Sequence, residues 1–328
     1  MLIYLEKSLP SSRRKAVLRR ALGLCPGKGG LKDGTIWLFP CAPGAVRLAM
    51  VEALPGVEKV EVRLDEISPL ACSGKKKLVK VGQAQAGGKE FLMIAGPCAV
   101  ESRAGYLAAA RFLKKAGVHA LRGGIFKPRS SPYAFQGMGY SGLDVLGEAK
   151  RLTGLPVVTE VTDPRQLEKV GAVADVIQCG ARNMRNYELL KELGGQKRPV
   201  LLKRAAGASL REWLLSAEYV LKQGNSSLML CERGDRCDSA PQPSLNLEIA
   251  REAAERTGLP VIIDPSHGTG RRSLIAPAVL AAAAAAFHGV MVEVHQNPHN
   301  AIVDGKQTLS LEEFAGLSRS LHKMLHTK

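Results

Sequence analysis

The chain has 328 residues, 45% of them hydrophobic, and a formal net charge of +16 at pH 7, a composition that excludes a disordered or fibrous protein. No apolar run approaches the ~18 residues of a membrane helix; the longest candidate is the alanine-rich Val279 to Phe287, and residues 1–24 place basic residues after their apolar start, unlike a secretory signal. Seven cysteines without a repeated Cys-x-x-Cys fit reduced thiols in a cytoplasm rather than a disulfide framework.

Residues 1–66 read as a small α+β unit. Leu2 to Leu5 is an apolar strand, and Ser11 and Ser12 can cap a helix to about Leu22 striped by Val17, Leu18 and Ala21. A weak strand is expected near Gly30 and a clear one over Thr35 to Phe39. Pro43 starts a helix to about Ala53, and Val57 to Leu64 alternates as a strand. That order suggests a ferredoxin-like fold, serving either as a regulatory ligand domain or as an oligomerisation module. Residues 1–80 carry 15 basic against 7 acidic side chains. These lie on expected helix faces and in the linker, residues 67–80, without interleaved aromatics. A nucleic-acid partner is therefore not expected, and neither is a membrane.

From Leu78 the pattern changes. Leu78 to Val81 and Glu90 to Ile94 flank a Gly/Gln/Ala loop and are expected to lead in as a short hairpin. Eight apolar segments follow: Phe91–Ala95, Val118–Arg122, Pro156–Val161, Asp175–Cys179, Pro199–Lys203, Ser227–Glu232, Pro260–Asp264 and Val290–His295. Each precedes a helical segment, among them Pro277–His288 and Leu311–Leu325. Eight strand–helix repeats over residues 81–328 predict a (β/α)8 barrel. A doubly wound open sheet is the alternative, and it is disfavoured by the count of eight. There is no Gly-x-Gly-x-x-Gly turn for a dinucleotide.

Barrel chemistry collects at the carboxyl ends of the strands. Those ends offer Cys98, Arg122, Glu160, Arg182, Lys203, Arg233, His267 and Glu293. Cys98, His267 and Glu293, with Asp304 after the last strand, combine thiolate, imidazole and carboxylates. That set suits one divalent ion of the manganese, iron, cobalt or zinc class. His295 is a rival ligand, two residues along a strand from Glu293. Arg122, Lys127, Arg182, Lys203 and Arg233, with Arg129 beside them, form a ring of cations. They demand more negative charge than one carboxylate carries, and a phosphorylated acid, alone or with a second phosphorylated substrate, fits best. Salt bridges between loops are the structural alternative.

Eight segments together resemble 3-deoxy-D-arabino-heptulosonate-7-phosphate (DAHP) synthase, of the type related to 3-deoxy-manno-octulosonate-8-phosphate synthase. They are Ala95-Gly-Pro-Cys-Ala-Val-Glu-Ser102, Leu121-Arg-Gly-Gly-Ile-Phe-Lys-Pro-Arg-Ser130, Val158-Thr-Glu160, Ile177-Gln-Cys-Gly-Ala-Arg-Asn183, Leu202-Lys-Arg204, Cys231-Glu-Arg-Gly234, Asp264-Pro-Ser-His267 and Val292-Glu-Val-His295. The resemblance implies a metal-dependent condensation of phosphoenolpyruvate with erythrose 4-phosphate, entering aromatic amino-acid synthesis. It implies Cys98, His267, Glu293 and Asp304 as metal ligands. Arg122, Lys127, Arg182, Lys203, Arg233 and the Ala181 amide would bind phosphoenolpyruvate, and Arg129 and Ser130 the sugar phosphate. Lys127, Glu160, His267 and Asp304 would be the catalytic set. Lys127-Pro-Arg-Ser130 favours the heptulosonate reaction over the octulosonate reaction with arabinose 5-phosphate. By the same resemblance, residues 1–66 would bind an inhibitory aromatic amino acid. A homo-oligomer, a tetramer in preference to a dimer, is expected. Two departures from the family pattern stand out: Asp235 to Asn246, and Ala205-Ala206 after Lys203-Arg204.

Overall fold

The computed structural model describes residues 1–25, 28–39, 45–61, 68, 70–235 and 243–326. The expected start of the second helix at Pro43, the end of the strand expected to reach Leu64, and most of the atypical Asp235 to Asn246 loop lie outside those residues. The chain divides into two compact units, Met1–Ser73 and Gly74–Lys328.

In the first unit, β1 (Leu2–Leu5), α1 (Ser11–Leu24), β2 (Lys28–Lys32), β3 (Thr35–Phe39), α2 (Ala45–Glu52) and β4 (Val57–Glu61) follow in order. The sheet order is β2-β3-β1-β4 and every pairing is antiparallel. This is the ferredoxin-like connectivity, and the weak strand near Gly30 is β2. Strand alternation puts Ile3 and Leu5 of β1 and Ile36 and Leu38 of β3 on one face. Val17 and Ala21 of α1 and Val51 of α2 complete that core.

The second unit begins with a hairpin, β5 (Val79–Val81) against β6 (Ala84–Ala86). The second strand of this hairpin is drawn from the Gly/Gln/Ala loop, not from Glu90 to Ile94 as expected. Alternation explains the choice: Val79, Val81, Ala84 and Ala86 are all buried on one face. They join Leu92, Ala120, Val176 and Met229 in one cluster, so the hairpin seals the barrel floor.

The barrel strands are β7 (Leu92–Gly96), β8 (Ala120–Arg122), β9 (Val157–Val161), β10 (Val176–Cys179), β11 (Val200–Lys203), β12 (Leu228–Glu232), β13 (Val261–Ile263) and β14 (Gly289–Glu293). They close in sequence order, with β14 pairing β7, and every neighbour is parallel. All residues of β7, β10, β11, β12 and β14 are buried, as a sheet packed on both faces requires. The surrounding helices are α3 (Arg103–Lys115), α4 (Ser141–Thr153), α5 (Leu167–Val173), α6 (Tyr187–Gly195), α7 (Leu210–Lys222), α8 (Leu247–Thr257), α10 (Arg272–Ala284) and α11 (Leu311–His326). Ser102, Asn186, Ser209 and Asn246 cap the helices that follow them by accepting from backbone N–H groups.

Three local expectations change. Helix α10 begins at Arg272, five residues before Pro277, which sits inside it. A proline suits a first helical turn but does not have to mark one. The last strand stops at Glu293, so His295 lies beyond it. A short helix, α9 (Pro265–Thr269), stands between β13 and α10 and carries His267.

Gly96 ends β7 at φ +154°, and a Cβ there would stand 2.1 Å from the Arg122 carbonyl oxygen. Two paired strands of a closed barrel cannot part to admit it. Gly96→Ala is expected to cost about 3 kcal/mol and lower the midpoint of denaturant unfolding; an unchanged midpoint would show that the β7–β8 seam yields.

Candidate active site

Each site residue is delivered by a strand end or the turn after it. Arg122 and Lys203 are the last residues of β8 and β11, Glu293 is the last of β14, and all three are buried. His267 sits in α9, whose start is written locally. Asp264 caps it by accepting from the His267 N–H at 3.1 Å, and Pro265 occupies its first turn.

The Asp264 side chain turns the same residue into a hub. Its Oδ2 accepts from Lys203 Nζ at 2.6 Å and lies 2.8 Å from His267 Nδ1. That contact leaves His267 Nε2 facing Glu293 Oε1 at 3.2 Å and Asp304 Oδ2 at 3.9 Å. Glu293 Oε1 also accepts from Arg122 at 2.9 Å, and its Oε2 accepts from Gln307 at 2.9 Å. Cys98 Sγ donates to Asp304 Oδ2 at 3.0 Å and accepts from Lys127 Nζ at 2.7 Å. One donor atom from each of Cys98, His267, Glu293 and Asp304 lies within 4.8 Å of the other three. Donors sharing one ion at bonds of about 2.0–2.3 Å stand at most about 4.6 Å apart, so small side-chain movements bring these four onto one ion. The carboxylate on the far nitrogen of His267 is the usual support of a metal-bound imidazole, so the residues fit a divalent ion.

Burial and charge oppose each other here. Burial alone would raise the Asp264 carboxyl, but His267 and Lys203 hold it well below the usual carboxylate range. Burial works against Glu293 in the same way, and His267, Arg122 and Lys127 bring it down to about 2. Burial pulls the His267 imidazole down, toward the neutral form a metal needs. It pushes the Cys98 thiol well up, with Glu293 adding to the effect. Lys127 and Arg122 stay cationic despite burial, with the Glu293 carboxylate raising both.

Beside this cluster opens a cavity of about 1340 Å³. Arg122, Lys127, Arg129, Ser130, Glu160, Ala181, Arg182, Lys203, Arg233, His267 and Asp304 all line it. Arg182 reaches across to donate to the Pro128 carbonyl at 2.9 Å, tying two of the cationic loops together. Glu160 is held by Gln178 at 3.0 Å. His295 is not in the metal-type cluster: its Nε2 lies 3.5 Å from Glu101. Beyond the end of β14 the period of two no longer holds, so its side chain leaves the face of Glu293. The sequence pattern does not single out Arg185 and Lys306 in the lining, Gln178 beside Glu160, or Gln307 on Glu293. Gln178, a polar residue inside an apolar strand, is the one with a readable signal.

Residues 71–327 match the model of the DAHP synthetase I family. This chain belongs to that family. It is 44% identical over 248 residues to the phospho-2-dehydro-3-deoxyheptonate aldolase of Thermotoga maritima, covering 75% of this chain and 73% of that one. It is 31% identical to a 2-dehydro-3-deoxyphosphooctonate aldolase of Syntrophobacter fumaroxidans, over 72% of this chain and 87% of that one. The crystal structure of the Thermotoga maritima DAHP synthase superposes over 99% of this chain and 97% of its own, with a TM-score of 0.79 and 36% identity. A truncated form of that synthase superposes over 77% of this chain and 93% of its own, with a TM-score of 0.72 and 39% identity. Two-domain architecture and barrel are thus both shared with a solved member of the family. No helix among the described residues is long and apolar enough to cross a membrane.

Asp264 is the shared partner of two buried groups, and Asp264→Asn would leave Lys203 charged without its anion. Breaking such a pair costs about 3–5 kcal/mol. The expected result is a lower unfolding midpoint. A loss under about 1 kcal/mol would mean that Lys203 is solvated some other way.

Proposed function

We propose that this chain condenses phosphoenolpyruvate with erythrose 4-phosphate, giving 3-deoxy-D-arabino-heptulosonate 7-phosphate and inorganic phosphate at the entry to aromatic amino-acid synthesis. The observation that carries the reading is the excess of cations around one ligating cluster. Eight Lys and Arg side chains line the cavity against two carboxylates, Glu160 and Asp304. A phosphate ester brings a charge of about −2 near neutral pH. Phosphoenolpyruvate adds a carboxylate, so the substrate pair carries about −5, close to the surplus on the wall.

In this reading Cys98, His267, Glu293 and Asp304 hold one divalent ion, which when bound supplies Lewis-acid polarisation of the sugar aldehyde. Arg122, Lys127, Arg182, Lys203, Arg233 and the Ala181 amide bind phosphoenolpyruvate. Arg129 and Ser130 take the sugar phosphate. The enol carbon of phosphoenolpyruvate bonds to the aldehyde carbon, and the carbonyl electrons pass to its oxygen. Lys127, kept cationic next to Cys98 and Asp304, gives that oxygen a proton. Water adds to the cationic carbon left behind, with Glu160 orienting it and taking its proton. The resulting phosphorylated hemiketal breaks its C–O bond to phosphate and passes its hydroxyl proton to the leaving group, leaving the ketone, while the cations balance the charge that leaves.

Erythrose 4-phosphate is preferred to arabinose 5-phosphate on the strength of Lys127-Pro-Arg-Ser130 and the nearer match to the heptulosonate enzyme. Residues 1–66 are read as the regulatory domain, 67–80 as the linker and 81–328 as the catalytic barrel. Tyrosine or phenylalanine would be the effector, acting on a homo-oligomer in the cytoplasm. The described cysteines are all free thiols, which agrees with a reducing compartment.

Phosphate release from phosphoenolpyruvate is the direct assay, run with each sugar and with or without a chelator. Turnover is expected with erythrose 4-phosphate, lost on chelation and restored by added divalent metal. Equal turnover with arabinose 5-phosphate would reassign the substrate, and chelator-resistant turnover would reject the metal. Glu160→Gln is expected to lower kcat about 100-fold or more with little change in KM for phosphoenolpyruvate; wild-type kcat would remove Glu160 from the proton transfers.

A further inference from the structure

Of the four cluster residues, Glu293 ends a strand, His267 sits in α9 and Cys98 lies two residues past β7, whereas Asp304 stands eleven residues past the end of β14. It lies in the loop after β14 and adopts a left-handed backbone, φ +57°, a conformation that a side chain with a Cβ seldom keeps unless its surroundings impose it. Its own carbonyl is held from the C-terminal side by Gln307 N–H at 3.1 Å and Thr308 Oγ at 2.9 Å. On that side Arg272 also donates to the Gly305 carbonyl at 3.0 Å. The N-terminal side needs its own hold: His295, Gln296, Asn297 and Asn300 line a second cavity of about 530 Å³, and Pro298 alone of residues 295–300 is buried.

Glu101 supplies that hold. It follows Cys98 by three residues and lies just before the Ser102 cap of α3. Its Oε1 accepts from the backbone N–H of Ile302 at 2.9 Å and of Val303 at 3.2 Å. Its Oε2 lies 3.5 Å from His295 Nε2. The His295 ring is itself oriented: Nδ1 accepts from the Asn297 N–H at 3.0 Å, which puts the ring proton on Nε2, facing the carboxylate. Fixed this way, Val303 is buried against Cys98 and Ala99, while its neighbour Ile302 stays 58% exposed. Asp304 is the next residue.

We infer that Glu101 and His295 are positioning residues for Asp304: Glu101 clamps two consecutive N–H groups of the loop, and His295 fixes the carboxylate that does so. The same short segment, Cys98 to Glu101, thereby presents one ligand and sets another 206 residues away in sequence. This inference rests on the metal reading proposed above. It also assigns a different task to His295, which the sequence offered as a rival ligand.

The test uses the full-length protein, freed of metal and titrated with Co²⁺. Binding is followed by the near-ultraviolet thiolate-to-cobalt absorption, which reports Cys98 directly. Glu101→Ala is expected to raise the Co²⁺ dissociation constant about 10- to 100-fold, the usual effect of losing a support behind a ligand. Phosphoenolpyruvate affinity is expected to stay within about twofold of wild type, which a general loss of structure would not allow. Glu101→Gln keeps an oxygen for both N–H groups and is expected to bind Co²⁺ far more tightly than Glu101→Ala. Wild-type Co²⁺ affinity in Glu101→Ala overturns the inference, as does a Glu101→Gln variant as weak as Glu101→Ala. If Glu101→Ala does not fold, Glu101→Asp, one methylene short of the loop, takes its place, and an unchanged Co²⁺ affinity there overturns the inference equally. Absence of the thiolate band in the wild-type protein would take the metal reading and this one down together, whereas a normal wild-type titration isolates the failure to Glu101.

Discussion

The mouth of the barrel depends on charge balance without water. Asp264 and Glu293 have no exposed surface, and Arg122 and Lys203 have almost none. A carboxylate standing alone in such a place would be driven toward its neutral form, and a lone guanidinium, which keeps its charge, would be costly to bury. Opposite charges alternate around an imidazole: Lys203 pairs with Asp264, Arg122 pairs with Glu293, and the His267 ring stands between the two carboxylates. Such pairs add little net stability, because desolvation offsets most of the attraction. What they supply is position. Asp264, His267 and Glu293 each have two neighbours and the end cations one, so the Lys203 and Arg122 heads and the imidazole arrive at the cavity already aimed.

Closure of the sheet is what makes the alternation possible. Arg122 and Glu293 are 171 residues apart, yet they come from strands that both flank β7. Lys203 and Asp264 belong to β11 and the end of β13, on either side of β12. An open sheet would leave β14 and β7 at or near edges, and the ion pair between Glu293 and Arg122 could not form across them. The hairpin of Val79 to Ala86 fills the other end with apolar side chains. Polar chemistry is thereby confined to one mouth, which is where the strand ends deliver it.

The two atypical segments meet in a way that keeps this mouth intact. Arg204 is buried beside Lys203 and pairs with Glu232 and with Asp235 at 2.8 Å. Asp235 also accepts from the Gly207 N–H at 2.8 Å. The loop after β11, with its Ala205-Ala206, and the base of the loop after β12 are therefore joined through one guanidinium. Lys203 and Arg233 flank that joint in the chain, and both line the cavity. Arg204, with its rigid fork of donors, can serve several acceptors at once where a lysine could not.

Much of this was legible without coordinates. Eight apolar segments separated by amphipathic helices define a barrel, because burial on both faces and a period of 3.6 residues leave local traces in the chain. The rule that chemistry sits at strand carboxyl ends then selected Cys98, Arg122, Lys203, His267 and Glu293. The partner strand of Val79 to Val81 was misread, since Ala84 to Ala86 is too weakly hydrophobic to announce a strand on its own.

The amino-acid sequence by itself determined which chemical groups this protein could bring to a site, and on which elements. Only the tertiary structure decided which of those groups meet. His295 and Asp304 show the difference: both follow the same strand, yet one turns to Glu101 and the other to Cys98 and His267. Nothing in the local spacing separates them, because past Glu293 the chain leaves the strand period and its direction is set by hydrogen bonds to residues some two hundred positions earlier. Periodicity is a property of neighbours along the chain, whereas the coordination of a loop is a property of neighbours in space.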